Sequence, residues 1–367
     1  MSKAAVYTGI GKPLEIRDCE VDAPRVGEVK LRMAASGVCH SDLSVMRGIQ
    51  TADAPMVLGH EGAGVVQELG PGVTEVAVGD HVVISWVPQC GTCYTCRRGQ
   101  PELCEIGDPV AAAGGLLDGT TRITSGGEKI RQMAFAGTFA EVAVVPVMGI
   151  VKVPKDLDLK VGALIGCGVL TGVGAAVNTA EILKGDSVVI LGCGGVGLNI
   201  IQGARLAGAE RIIAVDTNPR KLELATFFGA TDLVNATQGD AVSQVIALTE
   251  GRGADVAFEA IGLESTVELA INMTRRGGQA ILAGLPKLDA MLNIPVSLGI
   301  VRKERTIKGS WYGTADVRRD IPRFVEYYKS GQLKLDELVS RTISIDEVND
   351  ALETMETSDF ARSVIVY

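Results

Sequence analysis

The spacing of apolar positions changes character about halfway along the chain. Up to about residue 165, short runs rich in β-branched residues (4–7, 29–34, 64–69, 81–85 and 139–145) are broken by Gly and Pro, which predicts an irregular, mostly β domain. From 184 onward the pattern becomes strand, glycine turn, helix, strand. Strands are expected at 187–191, 211–215, 256–259 and 279–283, with helices at 196–207, 219–229 and 265–275 between them. That alternation predicts a doubly wound parallel sheet with crossover helices. Beyond about 311, two amphipathic helices (318–330 and 345–355) and a β ending (363–367) are expected to return to the first domain. The stretch 109–127, rich in Ala and Gly, reads as a long loop.

Two uncharged runs, 161–180 and 187–204, are long enough to raise a membrane question. Their glycines and the polar residues Thr171, Asn178, Thr179, Asn199 and Gln202 read instead as turns and close backbone contacts in a core. Residues 1–10 carry no apolar signal region, so a cytoplasmic location is expected. At 367 residues, 47% of them hydrophobic, two domains with separate cores are expected. A net charge of −9 argues against nucleic acid or an anionic membrane surface as partner and favours a small molecule.

The chemistry begins with Cys90, Cys93, Cys96 and Cys104, spaced C-x2-C-x2-C-x7-C within a lobe of about 88–106. Four soft thiolates fill a tetrahedral coordination sphere and leave no position for substrate, so a structural zinc is expected. A rubredoxin-like iron uses the same donors, and spacing does not separate the two.

Gly192, Gly194, Gly195, Val196 and Gly197 form a G-x-G-G-V-G turn between a Val/Ile strand and a helix, the setting a dinucleotide pyrophosphate requires. The helix amino end then faces phosphate. Asp216 ends the next strand, where a carboxylate accepts from ribose hydroxyls and repels a 2′-phosphate, favouring NAD over NADP. Arg220 and Lys221 nearby are the counterweight; their bland reading is a solvated helix face. Cys193 reads as a small buried residue.

Cys39, His60 and Cys167 are dispersed possible ligands; two thiolates and one imidazole would make a three-ligand zinc site with an open fourth position. Each alone has a bland reading as an ordinary core residue, and His81 is assigned to that reading. The segment Gly59, His60, Glu61, Gly64, Gly70 and Val73 spells G-H-E-x-x-G-x5-G-x-x-V. With the cysteine lobe and glycine turn following in order, the chain resembles the zinc-dependent alcohol dehydrogenases of the medium-chain dehydrogenase/reductase family over essentially its whole length.

The resemblance implies an α/β chain: a GroES-like β-rich catalytic domain (1–168) with an inserted Rossmann cofactor domain (169–311), the tail 312–367 returning to the first. It implies two zinc ions, catalytic and structural, and NAD. By the same resemblance Ser41 takes the alcohol proton, Asp42 orients His60, and Glu61 pairs with Arg362 or approaches the metal. His40 and Arg362 match pyrophosphate contacts, and Thr171 and Val196 match nicotinamide contacts; apart from the resemblance, Lys221, close to Asp216 in sequence, is placed among the cofactor-binding residues. Trp86, Met133, Leu285 and Trp311 match substrate-pocket walls, which would favour apolar or aromatic primary alcohols through burial of apolar area.

Two positions depart from the pattern. Ser44 stands where liver-type relatives end their proton relay with histidine. Asp108 stands where glutathione-adduct formaldehyde dehydrogenases place an arginine, which leaves a different thiol carrier such as mycothiol open. Three readings follow: an NAD-dependent alcohol dehydrogenase, a thiol-adduct formaldehyde dehydrogenase, or a non-catalytic NAD-binding relative that has lost its active zinc. The family also implies a homodimer or homotetramer pairing through 294–300.

Overall fold

The computed structural model describes residues 1–107, 114–355 and 361–367, and within it the chain divides into two compact units: Met1–Cys167 with Asp316–Tyr367, and Gly168–Ala315. Asp108 and most of the early part of the 109–127 loop lie outside the described residues. The remainder of that loop carries a short hairpin strand, Ile123–Ser125, which pairs with Glu128–Gln132.

The first unit is β-rich. Ser2–Tyr7, Glu15–Val21, Ile123–Ser125, Glu128–Gln132 and Met56–Val57 close a small barrel. A second sheet runs Ile150–Val153, His81–Ile84, Glu61–Leu69, Glu28–Gly37, Arg362–Val366 and Val339–Ile343, with Val142–Pro146 also paired to Glu28–Gly37. The expected β ending therefore exists, and it lies antiparallel to Glu28–Gly37. The unit has separate apolar clusters: Val29, Leu31 and Met33, alternate residues of one strand, meet Val66, Val82 and Ile84 in one, while Ala4, Val6, Val57 and Phe139 belong to another.

The second unit carries a six-stranded parallel sheet. In space its strands run Asp232–Asn235, Arg211–Asp216, Ser187–Leu191, Ala254–Glu259, Thr274–Leu282, Thr306–Gly309. Numbered along the chain, that order is 3-2-1-4-5-6, the dinucleotide-binding arrangement. Both faces of its central strands are covered, so they read as unbroken apolar runs such as Val188, Val189 and Ile190, all fully buried. The helix Pro219–Phe228 shows how local chemistry sets its ends. The Asn218 side chain accepts from the Arg220 N–H, proline occupies the first helical position, and Gly229 leaves at φ 119°.

One expectation is corrected. The run 161–180 is not a set of turns: Leu159–Thr179 is one helix, apolar and long enough to cross a bilayer by composition, with 83% of its apolar window buried. Its glycines serve packing. A Cβ at Gly172 would lie 2.4 Å from the Val196 carbonyl oxygen, and one at Gly166 would lie 2.4 Å from that of Ile84. Two π-helical segments interrupt it, Ile165–Val169 and Ala175–Thr179. The first holds Cys167, in keeping with the placing of such widened turns at functional positions.

Candidate metal centres and dinucleotide turn

Cys39 stands just before the short helix His40–Met46, His60 just before the strand Glu61–Leu69, and Cys167 in the π segment. The fold brings them together: one donor atom from each of Cys39, His60, Glu61 and Cys167 lies within 4.8 Å of the others, and all four residues are buried. Asp42, fully buried, ties two of them in place. One carboxylate oxygen accepts from the Cys39 N–H at 2.9 Å; the other accepts from the Gly59 N–H at 3.1 Å and lies 3.2 Å from His60 Nδ1. That leaves Nε2 to face the cluster and fixes the ring, as in carboxylate–histidine–metal arrangements.

The electrostatics are those of a cation site. The Cys39 thiol is held well below its usual range by the hydrogen bond from Cys167, against the opposing effect of burial, and Arg362 and His60 add to the lowering. Cys167 is pushed well up by the same bond and by burial. Burial also lifts Glu61 to about 7, with Arg362 opposing. For His60, burial disfavours the imidazolium, but Asp42 and Cys39 outweigh it and raise the pKa. Both Glu61 carboxylate oxygens are buried without a hydrogen bond, and the Arg362 guanidinium forms an ion pair with one of them at 3.3 Å. Two thiols, an imidazole and a carboxylate with no hydrogen bond, all on buried residues, fit a zinc ion by donor type and spacing.

Around this cluster, Trp86 sets its ring edge to His60 with centroids 6.4 Å apart, and Ser41 Oγ lies 3.8 Å from Cys39 Sγ. Met133 is half-buried against the barrel-side core. His40 is exposed, and Ser44 is half-buried on the same short helix. Leu285 and Trp311 belong to the second unit, where they are 52% and 40% exposed.

The lobe cysteines converge as well. Cys90 and Cys96 sulfurs are 4.0 Å apart and those of Cys93 and Cys104 3.9 Å, close to the ~3.8 Å edge of a tetrahedron with 2.3 Å zinc–sulfur bonds. Main-chain N–H groups of Thr92 and Cys93 point at Cys90 Sγ, and that of Cys90 at Cys104 Sγ. The Thr95 hydroxyl, with main-chain donors, brings Cys93 down to about 6. All eight cysteines are free of disulfides.

In the second unit Gly192 turns at φ 92°, and a Cβ on Gly197 would lie 1.8 Å from the Gly192 oxygen, so helix and turn touch through backbone alone. Gly194 caps the helix Gly195–Ala207, with Val196 half-buried in its first turn. The Asp216 carboxylate at the strand end accepts from the Cys193 and Asn218 N–H groups at 2.8 and 2.9 Å, which aims it across the turn. Cys193 is buried beside it, its thiol pushed up by burial. Lys221 is half-buried in the following helix, and Thr171 is buried in the long helix.

Sequence reasoning missed several neighbours. Gly37 is one: its Cβ would fall 2.1 Å from Glu61 Oε2. The buried hydroxyls of Ser36 and Thr138, 2.6 Å apart behind Glu61, are others. In the second unit Glu259 was missed as well, its carboxylate accepting from Ile261 and Gly262 N–H and the Thr266 hydroxyl at the end of a sheet strand. None has a spacing signature.

Comparison with known proteins agrees with this geometry. The profile described as alcohol dehydrogenase GroES-like domain matches residues 25–155, and that described as zinc-binding dehydrogenase matches 195–329. An NDMA-dependent alcohol dehydrogenase of Amycolatopsis methanolica is 40% identical over 369 residues, covering 100% of this chain and 99% of its own. An S-(hydroxymethyl)glutathione dehydrogenase of Escherichia coli is 40% identical over 370 residues, covering both chains fully. The crystal structure of benzyl alcohol dehydrogenase from Acinetobacter calcoaceticus superposes with a TM-score of 0.94 at 31% identity, over 100% of this chain and 99% of that one. The chain is an oxidoreductase belonging to the zinc-dependent alcohol dehydrogenases of the medium-chain dehydrogenase/reductase family.

Proposed function

We propose that the protein interconverts apolar or aromatic primary alcohols and their aldehydes, passing hydride between the alcohol carbon and NAD. The observation that carries this reading is the convergence of Cys39, His60 and Cys167 on one buried point, in a chain whose glycine turn donates a main-chain N–H to the Asp216 carboxylate. A zinc ion held there supplies Lewis acidity that makes an alcohol hydroxyl easier to deprotonate near neutral pH. The chain's own residues do the rest. Asp42 fixes the imidazole so that its free nitrogen stays on the cluster. Ser41 offers a hydroxyl beside Cys39 to take the alcohol proton onward. Asp216, already aimed by two main-chain donors, accepts ribose hydroxyls and disfavours a 2′-phosphate. Trp86, an indole lying edge-on to His60, favours an apolar or aromatic substituent. The net reaction is alcohol plus NAD+ giving aldehyde, NADH and a proton.

The 40% identical relative named for S-(hydroxymethyl)glutathione supports a second reading, a formaldehyde–thiol adduct as substrate. Benzyl alcohol, then formaldehyde with and without glutathione or another small thiol, each with NAD, with NADP and with NDMA added, separate the readings by NADH absorbance and substrate loss. Turnover of benzyl alcohol with NAD supports the first; turnover only with thiol overturns it. The working protein is a cytoplasmic homo-oligomer on this reading. The exposed Leu288, Met291, Val296, Leu298 and Val301, next to the edge strand Thr306–Gly309, offer the partner face.

A further inference from the structure

The metal-centre segment Gly59–Glu61 is held from two sides. One is Asp42, described above. The other is a strap, residues 133–139, whose Thr138 and Phe139 N–H groups donate to the carbonyls of Gly59 and Leu58, both at 2.9 Å. The approach is close: a Cβ on Gly59 would lie 2.5 Å from both Phe139 Cδ1 and Thr138 Oγ1. The Thr138 and Ser36 hydroxyls are 2.6 Å apart, and Ser36 Oγ donates to the Glu61 carbonyl at 3.0 Å. Ser36 and Thr138 are wholly buried, so no water substitutes for these bonds.

The strap is strained. Ala134 and Phe135 adopt φ 49° and 62°, the left-handed region that residues with side chains rarely enter, and such conformations persist only where surrounding bonds over-determine them. Two side chains do so. Gln132, fully buried, directs its amide nitrogen to the carbonyls of Phe135, Ala136 and Val144 at 3.4, 3.4 and 3.0 Å. Tyr367, following the strand Arg362–Val366, reaches across the sheet to donate its hydroxyl to the Thr138 carbonyl at 2.6 Å, while its own N–H donates to Ala34. The phenol ring packs against both cores of the unit. One tyrosine thereby connects the returning tail to the strap, and the strap to the residues flanking His60.

We infer that Tyr367 is a positioning residue for the Cys39–His60–Cys167 centre: its hydroxyl pins the strained strap, and the strap holds Gly59–Glu61 so that His60 keeps its place. The inference rests on the reading of that centre as a zinc site. Its test is Tyr367→Phe, which keeps the ring and removes only the hydroxyl, with Ser36→Ala as a second variant acting on the other end of the same chain of bonds.

The measurement is zinc release to a chromogenic chelator from the full-length holoprotein, with the lobe zinc as internal reference, alongside the visible spectrum of the cobalt-substituted protein and a thermal melt. Both variants should release one zinc roughly fivefold faster, the factor a single buried hydrogen bond is worth, with lobe release unchanged and the cobalt ligand-field bands shifted. Lower melting with unchanged release and spectrum, or faster release of both ions together, overturns the inference. A wild-type protein that binds only one zinc, held by the lobe, overturns the site reading itself, a result distinct from either.

Discussion

The glycine turn makes a prediction in which folding and cofactor binding separate. Gly194 has φ −79° and ψ −171°, a conformation any residue adopts, and a Cβ there meets nothing within 4 Å. Alanine at this cap position costs at most ~1 kcal/mol, partly offset by the ~0.4–1 kcal/mol that restricting the unfolded chain returns. Gly194→Ala should therefore melt within about 4 °C of the parent. Gly197 is the opposite case. Its Cβ would lie 1.8 Å from the Gly192 oxygen and 2.9 Å from that carbonyl carbon, and backbone atoms cannot rotate aside. Overpacking of this kind costs ~3 kcal/mol, or roughly 6–12 °C. The methyl at 194, by contrast, occupies room the pyrophosphate needs, so NADH affinity should fall at least roughly tenfold with the fold intact. Thermal melts and NADH fluorescence titrations of both variants make the comparison. Parental affinity in Gly194→Ala would place the pyrophosphate elsewhere, and a parental melt for Gly197→Ala would refute the close-packing argument.

Three further outcomes are expected. Cys39→Ala should retain one zinc of two by elemental analysis, keep its far-UV spectrum, and lose at least roughly a hundredfold in turnover, since the Lewis acid contributes several kcal/mol; near-parental turnover would remove Cys39 from the centre. Gly37→Ala, whose methyl meets Glu61 Oε2 at 2.1 Å, should destabilise the protein by about 1–3 kcal/mol, and Glu61→Ala in the same chain should recover most of it; additive losses in a double-mutant cycle would contradict the contact. Burial opposes ionisation of Asp118, but its bonds to Thr120 and Arg122 outweigh it and lower its pKa below 3.8. Because the folded-state value is the lower one, the stability it contributes is present above about pH 4 and is lost as pH falls through that value. At 39% exposure the amount is at most ~1 kcal/mol, so urea unfolding between pH 2.5 and 5 should show a shallower acid-side loss for Asp118→Asn than for the parent; identical slopes would rule the ion pair out.

The parallel sheet was legible because both faces of its central strands are covered, which gives them apolar runs, and the first of these runs straight into the glycine turn. Ser187–Leu191 and the helix Gly195–Ala207 are the clearest cases. The strands Asp232–Asn235 and Thr306–Gly309 lie at the two edges of that sheet, where one flank is unpaired, and their polar residues hid them. The helix Ala241–Leu248 was missed too, although Asp240 accepts from the Ser243 N–H as a cap should. The helix Leu159–Thr179 was misread for a different reason. Glycine marks a turn when it supplies a positive φ, but here it supplies absence of bulk: at Gly172 and Gly174 a Cβ would strike backbone at 2.4 and 2.5 Å. Composition does not distinguish these uses, and only the partner segments do.

The two metal centres differ in legibility on the same physical grounds. The lobe ligands sit within one loop, so their spacing encodes their convergence. Cys39, His60 and Cys167 are brought together by a strand pair and a helix, and the residues between them carry no trace of that geometry; the G-H-E motif made them visible through resemblance. The layer behind them is less visible still. Ser36 and Thr138 are 102 residues apart, and Thr138 and Tyr367 are 229 apart. All are residue types with ordinary roles elsewhere, and the strain at Ala134 and Phe135 exists only in the folded backbone. A ligand must be a cysteine, histidine or carboxylate, which restricts the alphabet enough to leave a pattern. A group that positions a ligand needs only a hydrogen-bonding atom at the right place, and most of the alphabet supplies one. Substitutions at residues such as Tyr367, which touch neither metal nor cofactor, are therefore where zinc retention can be altered without any change in the motifs that identify the family.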